Sequence, residues 1–415
     1  MTHFRFRELR VENYRCFETL TFPIEEDLTV LFAENGGGKS SLLAALAMGV
    51  STFQTGIPKS SKLDVRRDPR KITLDEKGRR EAAGPCTLTW VATVGDMETV
   101  EWSSTVHPAS GRSANKHRPI QEAMEKLRLP GERWPLFAWY GVERMRRSHK
   151  TFRPRERILD RWEAYDGALD PSLDDGALLQ WLQDEMLGDV VRRRQDEPER
   201  FLDKAVMEAT IGATPGVVNA WYDPVQQSPM VRFEAGHIGS WSELSDGYHV
   251  FIALVADLAR RAVVLNEMDG AEAPANVEGL VLIDEIDLHL HPRWQRKVLE
   301  GLRKAFPKLQ FVVTTHSPQV LSSAENRQVR SLDAGKLQEH KIFVEGRDTN
   351  AILRDWMNTE DRDERLAPAL TELYDAIDRG ERDAAQHIYA DLVSKWGKND
   401  MELIRAKRLM DWEEE

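Results

Sequence analysis

The segment 33–41, AENGGGKSS, places three glycines, a lysine and two hydroxyls side by side. Those residue types in that order suit a polyphosphate. Gly36, Gly37 and Gly38 let consecutive backbone N–H groups turn inward, Lys39 reaches the terminal phosphates, and Ser40 offers an oxygen to magnesium. Asn35 and Ser41 complete the candidate nucleotide-binding set. Ala33 stands where the usual pattern begins with glycine, a change that removes no ligand. A second segment, GLVLIDE (279–285), ends an apolar run on two acids: Asp284 is placed to hold magnesium, and Glu285 to orient or deprotonate an attacking water. Alone such a run is common; beside a phosphate loop it is informative. In LSDGY (244–248), Ser245 and the N–H groups around Gly247 can form an anion site at a helix start, although an ordinary N-cap turn has the same letters. In TTHSP (314–318), His316 follows a strand and is placed to sense a terminal phosphate, where a lone histidine is as often structural.

Chemistry at these sites needs elements to position it. Phe4–Val11 and Leu28–Phe32 have strand character and are separated by turn-like segments, and the apolar, small-residue stretch 41–50 reads as a helix. The glycine cluster therefore sits between a strand and a helix. Cys86–Val94 and Glu98–Val106 flank Gly95 and Asp96 as a hairpin, and Pro135–Gly141 is another short strand. Residues 160–210 are helical in pattern, with Trp181, Leu182, Met186 and Leu187 at helical spacing. Then follow a turn and long helix (241–262), a buried strand (279–285), a helix (291–306) and a second buried strand (309–318). This alternation predicts an α/β fold whose sheet is covered on both faces.

The chain has 415 residues, 57 Lys+Arg and 69 Asp+Glu, a net charge of -12 that excludes a uniformly cationic nucleic-acid binder. Two local runs differ: 59–80 carries nine basic residues against four acids, and 144–157 carries seven against Glu156 alone. Either can contact DNA phosphates or be a solvated face. Cys16 and Cys86 are too few for a disulfide framework and fit a reducing, cytoplasmic setting. No signal peptide is read at the N-terminus, and Val250–Leu265 is interrupted by Asp257, Arg260 and Arg261, so no membrane span is expected.

The order of these elements resembles the ABC-type ATPases of the RecF/SMC/Rad50 branch, and more closely the AAA15/AAA21-like ATPases of bacterial anti-phage systems, above all the ATPase subunit of Septu systems. Asn13, Tyr14, Arg15 and Phe17 are similar to the early element of that family, whose arginine approaches the nucleotide. DEIDLHLHP (284–292) resembles its D-loop, with Asp287 at a dimer seam, while AWYGVER (138–144) and RWEAYDGALD (161–170) resemble its middle part. The resemblance is best over 4–50, 134–185 and 240–330, and the usual Q-loop glutamine is not evident after Phe137–Tyr140.

The resemblance implies a P-loop NTPase head with an inserted α-helical lobe and a small C-terminal helical appendage. Residues 1–345 form the ATPase domain, with a P-loop lobe from 1–140 and 270–345 and a signature lobe over about 141–269; residues 346–415 form a partner-binding region. It also implies a head-to-tail homodimer or higher oligomer holding ATP and Mg2+. Lys39, Ser40, Asp284, Glu285 and His316 act from one subunit, and Ser245 and Gly247 from the other. A separately encoded nuclease, the HNH type among the candidates, is the expected effector. KIFVEGRDTNAIL (341–353) opens like a Toprim nuclease strand, but Asp375 and Asp378 lie in a helix-periodic polar stretch, so no nuclease site is expected within the chain. The rival readings are a RecF-like DNA-repair ATPase and a nucleotide-sensing scaffold that barely hydrolyses.

Overall fold

The N-terminal residues fold as a hairpin, β1 (Phe4–Tyr14) against β2 (Phe17–Pro23), where a strand and a turn-like segment were expected. In β2 the apolar Phe17, Leu20 and Phe22 turn inward while Glu18, Thr19 and Thr21 face out, the spacing of a strand with one wet face. This computed structural model describes residues 4–55, 57, 63, 72–74, 80–82, 84–95, 98–107, 112–127, 131–148, 160–172, 174–194, 202–338, 341–357 and 367–412. They fall into two compact units, Met1–Asp348 and Thr349–Glu415.

In the first unit β3 (Leu28–Ala33) feeds the glycine loop and α1 (Lys39–Phe53). A short pair, β4 (Ile72–Leu74) and β5 (Arg80–Ala82), spans the end of the first basic run, most of which falls outside the described residues. β6 (Cys86–Val94), β7 (Glu98–Val106) and β8 (Ser113–Lys116) follow, the first two joined through Gly95. They complete an antiparallel sheet in the order β2-β1-β6-β7-β8. α1 is apolar on all sides because it is sandwiched: one side meets this sheet, where Trp90 Nε1 donates to the Ala45 carbonyl at 2.8 Å, and the other meets the parallel sheet. α2 (Arg118–Leu127) packs on β7.

The parallel sheet joins β9 (Leu136–Tyr140) to strands from the second half of the chain. These are β13 (Gly279–Ile283), β14 (Leu309–Thr314), β15 (Val329–Asp333) and β16 (Lys336–Leu337), once the intervening β10 (Val217–Asp223), β11 (Ser228–Phe233) and β12 (Ile238–Ser240) are numbered. Its order is β16-β15-β3-β14-β13-β9, all parallel save the β16 edge. Every residue of β3, β13 and β14 is buried, as a sheet covered on both faces requires. Gln310, fully buried in β14, ties the two sheets together: it accepts from Phe6 N at 2.9 Å and donates to Phe6 O at 2.8 Å, where β1 shifts register against β6.

The inserted part is not purely helical. Besides α3 (Gly176–Arg194), α4 (Leu202–Ala213) and α5 (Asp246–Leu265), it holds the three-stranded sheet β10-β11-β12. α5 is locked to β9 by a buried charge cluster: Tyr140 Oη donates to Asp257 at 2.8 Å, and Arg260 and Arg261 reach the same carboxylate at 2.6 and 2.7 Å. The helix expected over 291–306 splits, after the short α6 (Ala273–Asn276), into α7 (Pro292–Gln295) and α8 (Val298–Ala305). Gln295 turns back to the Leu290 carbonyl at 2.9 Å and Trp294 packs edge-on against Tyr248, which holds α7 apart from α8. α9 (Pro318–Ser322) closes the sheet connections.

The second unit is helical: α10 (Thr349–Trp356), α11 (Ala367–Asp378), α12 (Arg382–Trp396) and α13 (Met401–Trp412). Leu373, Ile377, Leu392 and Leu403 form a small core between the last three. Asp375 and Asp378 both lie on α11. Among the described residues no helix is long and apolar enough to cross a membrane.

Candidate active site

The glycine loop takes its shape from its own backbone. Gly36 and Gly38 have φ of 83° and 101°, and Gly38 caps α1 in the left-handed conformation that a side chain disfavours. A Cβ on Gly38 would also lie 2.6 Å from Cys16 Sγ and Phe17 Cζ, so the β1–β2 turn forms a wall beside the loop. The same turn brings Arg15 Nη1 to Ser41 Oγ at 3.4 Å. Ala33 is accommodated: its methyl lies 2.8 Å from where Gly37 would carry a Cβ, a spacing that Gly37 leaves open. Lys39 is nearly buried and folds onto the Ala33 and Glu34 carbonyls at 2.8 and 3.3 Å. Burial draws its pKa below the ordinary lysine value, opposed by the charges of Asp284, Glu285 and Asp287.

Opposite the loop, Ser40 Oγ meets Asp284 Oδ2 at 2.7 Å across 244 positions of sequence. Thr314 Oγ1 donates to the other carboxylate oxygen at 2.5 Å and accepts the Glu285 N–H at 2.8 Å. Glu285 is half-buried with φ 47°, a left-handed turn at a non-glycine residue of the kind found where neighbouring contacts over-determine the backbone. Asp287 accepts from Thr315 Oγ1 at 2.5 Å and from the His316 N–H at 3.4 Å, tying its loop to the end of β14. His316 itself is half-buried. Thr314 and Thr315 hold Asp284, Glu285 and Asp287 in place, a role that the sequence pattern assigned to no residue. Their signal was present as two adjacent threonines, Thr314 at the end of β14 and Thr315 just beyond it, both fully buried.

The signature segment forms a separate cluster. Ser245 is the exposed N-cap of α5 and makes no side-chain capping bond. Gly247 is buried, and a Cβ there would sit 2.3 Å from the His289 carbonyl oxygen, so this glycine is needed for contact with the D-loop of its own chain. No hydrogen bond among the described residues joins Ser245 or Gly247 to Lys39, Ser40 or Asp284.

The described part of the second basic run is not a free cationic face. Arg144 is 3% exposed and spends its guanidinium on backbone carbonyls: Nη1 donates to Asp284 at 2.6 Å and Gly141 at 2.9 Å, and Nη2 to Glu285 at 2.9 Å. Burial lowers its pKa to about 10, against the raising pull of Asp284, Asp287 and Glu285, which leaves it charged at neutral pH. It is therefore unavailable to DNA. Arg147 donates to the Leu244 carbonyl and to Asp246 Oδ1 at 3.0 Å, and the more exposed Arg146 pairs with Glu143 at 2.8 Å. Lys150, Arg153, Arg155 and Arg157 lie outside the described residues.

Comparison with known proteins now bears on this geometry. A family profile described as "AAA domain, putative AbiEii toxin, Type IV TA system" matches residues 117–322, and one described as "AAA domain" matches 8–183. The two profiles together span residues 8–322 of the chain, and each describes an AAA domain. It is 25% identical to the Retron Ec83 probable ATPase of Escherichia coli over 99% of this chain and 88% of that one. It is 27% identical to the Septu protein PtuA of Bacillus mycoides over 83% of this chain but 43% of that one. Among solved structures, the SMC head domain from Thermotoga maritima aligns with a TM-score of 0.47 at 13% identity, covering 82% of this chain and all of that one.

The residues of the candidate site suit a nucleotide and magnesium. The glycine loop, the start of α1 and Lys39 suit a polyphosphate, and the adjoining Ser40 hydroxyl and Asp284 carboxylate are the hard oxygen donors that magnesium takes. Among the described residues no group of three or more His, Cys, Asp or Glu gathers as a metal cage. Magnesium is commonly held by one or two protein oxygens together with substrate phosphates.

Proposed function

We propose that the chain binds and hydrolyses ATP, closes head-to-tail with a second copy on ATP, and thereby controls a separately encoded nuclease in anti-phage defence. The single observation that carries the ATPase reading is the Ser40–Asp284 pair beside Lys39 and Glu285. Magnesium bound there would neutralise charge on the phosphates. Lys39 would leave the Ala33 and Glu34 carbonyls for the terminal phosphates, Glu285 would orient and deprotonate the attacking water, and His316 would face the terminal phosphate. Ser245, with an uncommitted side chain at an exposed helix start, and the N–H groups around Gly247 would meet the partner's nucleotide. The defence role is supported by the similarity to retron and Septu proteins. The DNA-repair alternative loses one of its supports with the burial of Arg144.

The test is Glu285→Gln, which keeps shape and removes the base. It should bind ATP with wild-type affinity, hydrolyse it at least a hundredfold more slowly (about the span of general-base catalysis) and elute as an ATP-dependent dimer. Wild-type turnover in that variant would refute the assignment.

A further inference from the structure

The loop that leaves β9 makes contact in two directions. At position 144 its arginine holds the carbonyls of Asp284 and Glu285, the residues at the end of β13 that carry the catalytic carboxylates. Three residues on, Arg147 holds the Leu244 carbonyl and Asp246, which flank Ser245 at the start of α5. At position 148 the backbone N–H donates to Asp175 Oδ1 at 2.6 Å. Asp175 is fully buried, and its other oxygen accepts from Trp241 Nε1 at 2.7 Å and His249 Nε2 at 2.9 Å, three residues before and one residue after the segment 244–248. The Asp175 N–H returns to the Arg146 carbonyl at 3.0 Å, so the segment is zipped to a buried support along its length.

Two further features show that these contacts set position. Glu285 holds its left-handed φ between the Thr314 hydroxyl on its N–H and Arg144 on its carbonyl, so removing either frees a conformation that is costly for glutamate. Arg144 and Arg147 also each bury an Nε with no acceptor among the described residues, although both side chains are otherwise committed. An unmet buried donor disfavours the arrangement that holds it.

We propose that residues 144–148 are an intrasubunit coupler. Arg144 and Arg147 act as positioning residues that make the placement of Glu285 depend on the placement of the signature helix start. Docking of Ser245 and Gly247 on the nucleotide of a second copy shifts Leu244 and Asp246; Arg147 moves with them, and Arg144 carries the shift to the Glu285 carbonyl. Hydrolysis in one site is thereby conditional on that subunit's engagement with the other. This rests on the reading above that the signature faces a partner's nucleotide.

The experiment is a double-mutant cycle on the full chain with Arg144→Lys and Arg147→Ala. Phosphate release is measured across protein concentrations, and equilibrium binding of a fluorescent ATP analogue is measured at low protein concentration. Each single variant should lower turnover at least about tenfold while leaving analogue affinity within about threefold, because a misplaced catalytic group affects rate before binding. The double variant should be no slower than the slower single, since both break one linkage. Arg147→Lys should recover part of the rate by keeping a cation beside Asp246, and it replaces Arg147→Ala in the cycle should the alanine variant not fold. Wild-type turnover per chain that does not rise with protein concentration would refute the dimer reading, and the coupler with it. Concentration-dependent wild-type turnover with multiplicative losses in the double variant would overturn the coupler alone.

Discussion

Gly247→Ala adds one methyl group to the start of α5, and its effect separates two opposed forces. As helix propensity the change is favourable, since alanine gains about 0.8–1 kcal/mol over glycine inside a helix. As packing it is unfavourable: the new Cβ would lie 2.3 Å from the His289 carbonyl oxygen and 3.1 Å from its carbon. Ordinary carbon–oxygen contact begins near about 3.3 Å, so the two backbones must part by roughly 1 Å. His289 cannot yield by changing rotamer, because the clashing atom is main chain in a left-handed turn at φ 63°. Overpacking of this kind costs about 1–3 kcal/mol, which offsets or exceeds the propensity gain. Net stability should therefore change by less than about 2 kcal/mol, and the variant should fold. Function should respond more sharply, because a misplacement of this size can cost about a hundredfold in rate. The expected result is turnover reduced ten- to a hundredfold with ATP-analogue affinity within about twofold of wild type, measured by phosphate release and fluorescence titration. Wild-type turnover at wild-type stability would refute both the close approach of α5 to the D-loop and the role given to Gly247.

Lys39→Ala should weaken ATP binding about a hundredfold through loss of charged hydrogen bonds to phosphate while leaving the melting temperature near wild type; unaltered affinity in the titration would remove the lysine from the site. Asp257→Asn strands the buried Arg260 and Arg261 charges and should destabilise the first unit by about 3–5 kcal/mol in denaturant titrations. Burial alone would raise the Asp257 carboxyl, but Arg261 and Arg260 outweigh it and hold the pKa below the usual carboxylate range. With the folded pKa depressed, its contribution is present above the unfolded value of about 4 and is lost as pH falls toward the folded one. Unfolding measured below about pH 4 should thus be less pH-sensitive in the asparagine variant, and an unchanged acid limb would count against the cluster.

The parts of the site that were legible in sequence are those whose chemistry is local. Gly36, Gly37, Gly38 and Lys39 are adjacent because the loop is a single backbone turn, and Asp284 and Glu285 end a run whose unbroken apolarity already marks a buried parallel strand. What was not legible depends on tertiary contact. β2 was passed over because its threonines and glutamate read as a turn, although β1 alongside makes them one face of a hairpin. In the β10–β11 pair one face is apolar (Val217, Ala220, Tyr222, Pro229, Val231 and Phe233), but the register shift between Val217 and Asn219 and the apolar Val218, Trp221 and Met230 outside that set blur the alternation along the sequence. The helix over 291–306 has continuous helical pattern and breaks only because Gln295 and Trp294 find partners elsewhere in the fold.

The basic run after β9 shows why charge counting could not resolve function. Arg144, Arg146 and Arg147 are neighbours of one residue type, yet the first is enclosed against the carbonyls of Asp284 and Glu285, the second lies outside against Glu143, and the third grips the signature start. Burying a guanidinium is unfavourable unless most of its donors are met. The end of β13 meets Arg144 because a left-handed turn at Glu285 leaves carbonyls pointing away from the sheet ladder. The strained turn and the buried arginine therefore explain each other: the glutamate accepts its backbone conformation because the arginine fixes it, and the arginine tolerates burial because the turn supplies acceptors. A run that would count as a DNA face by charge is, at two of its three described arginines, internal wiring between the nucleotide site and the signature helix.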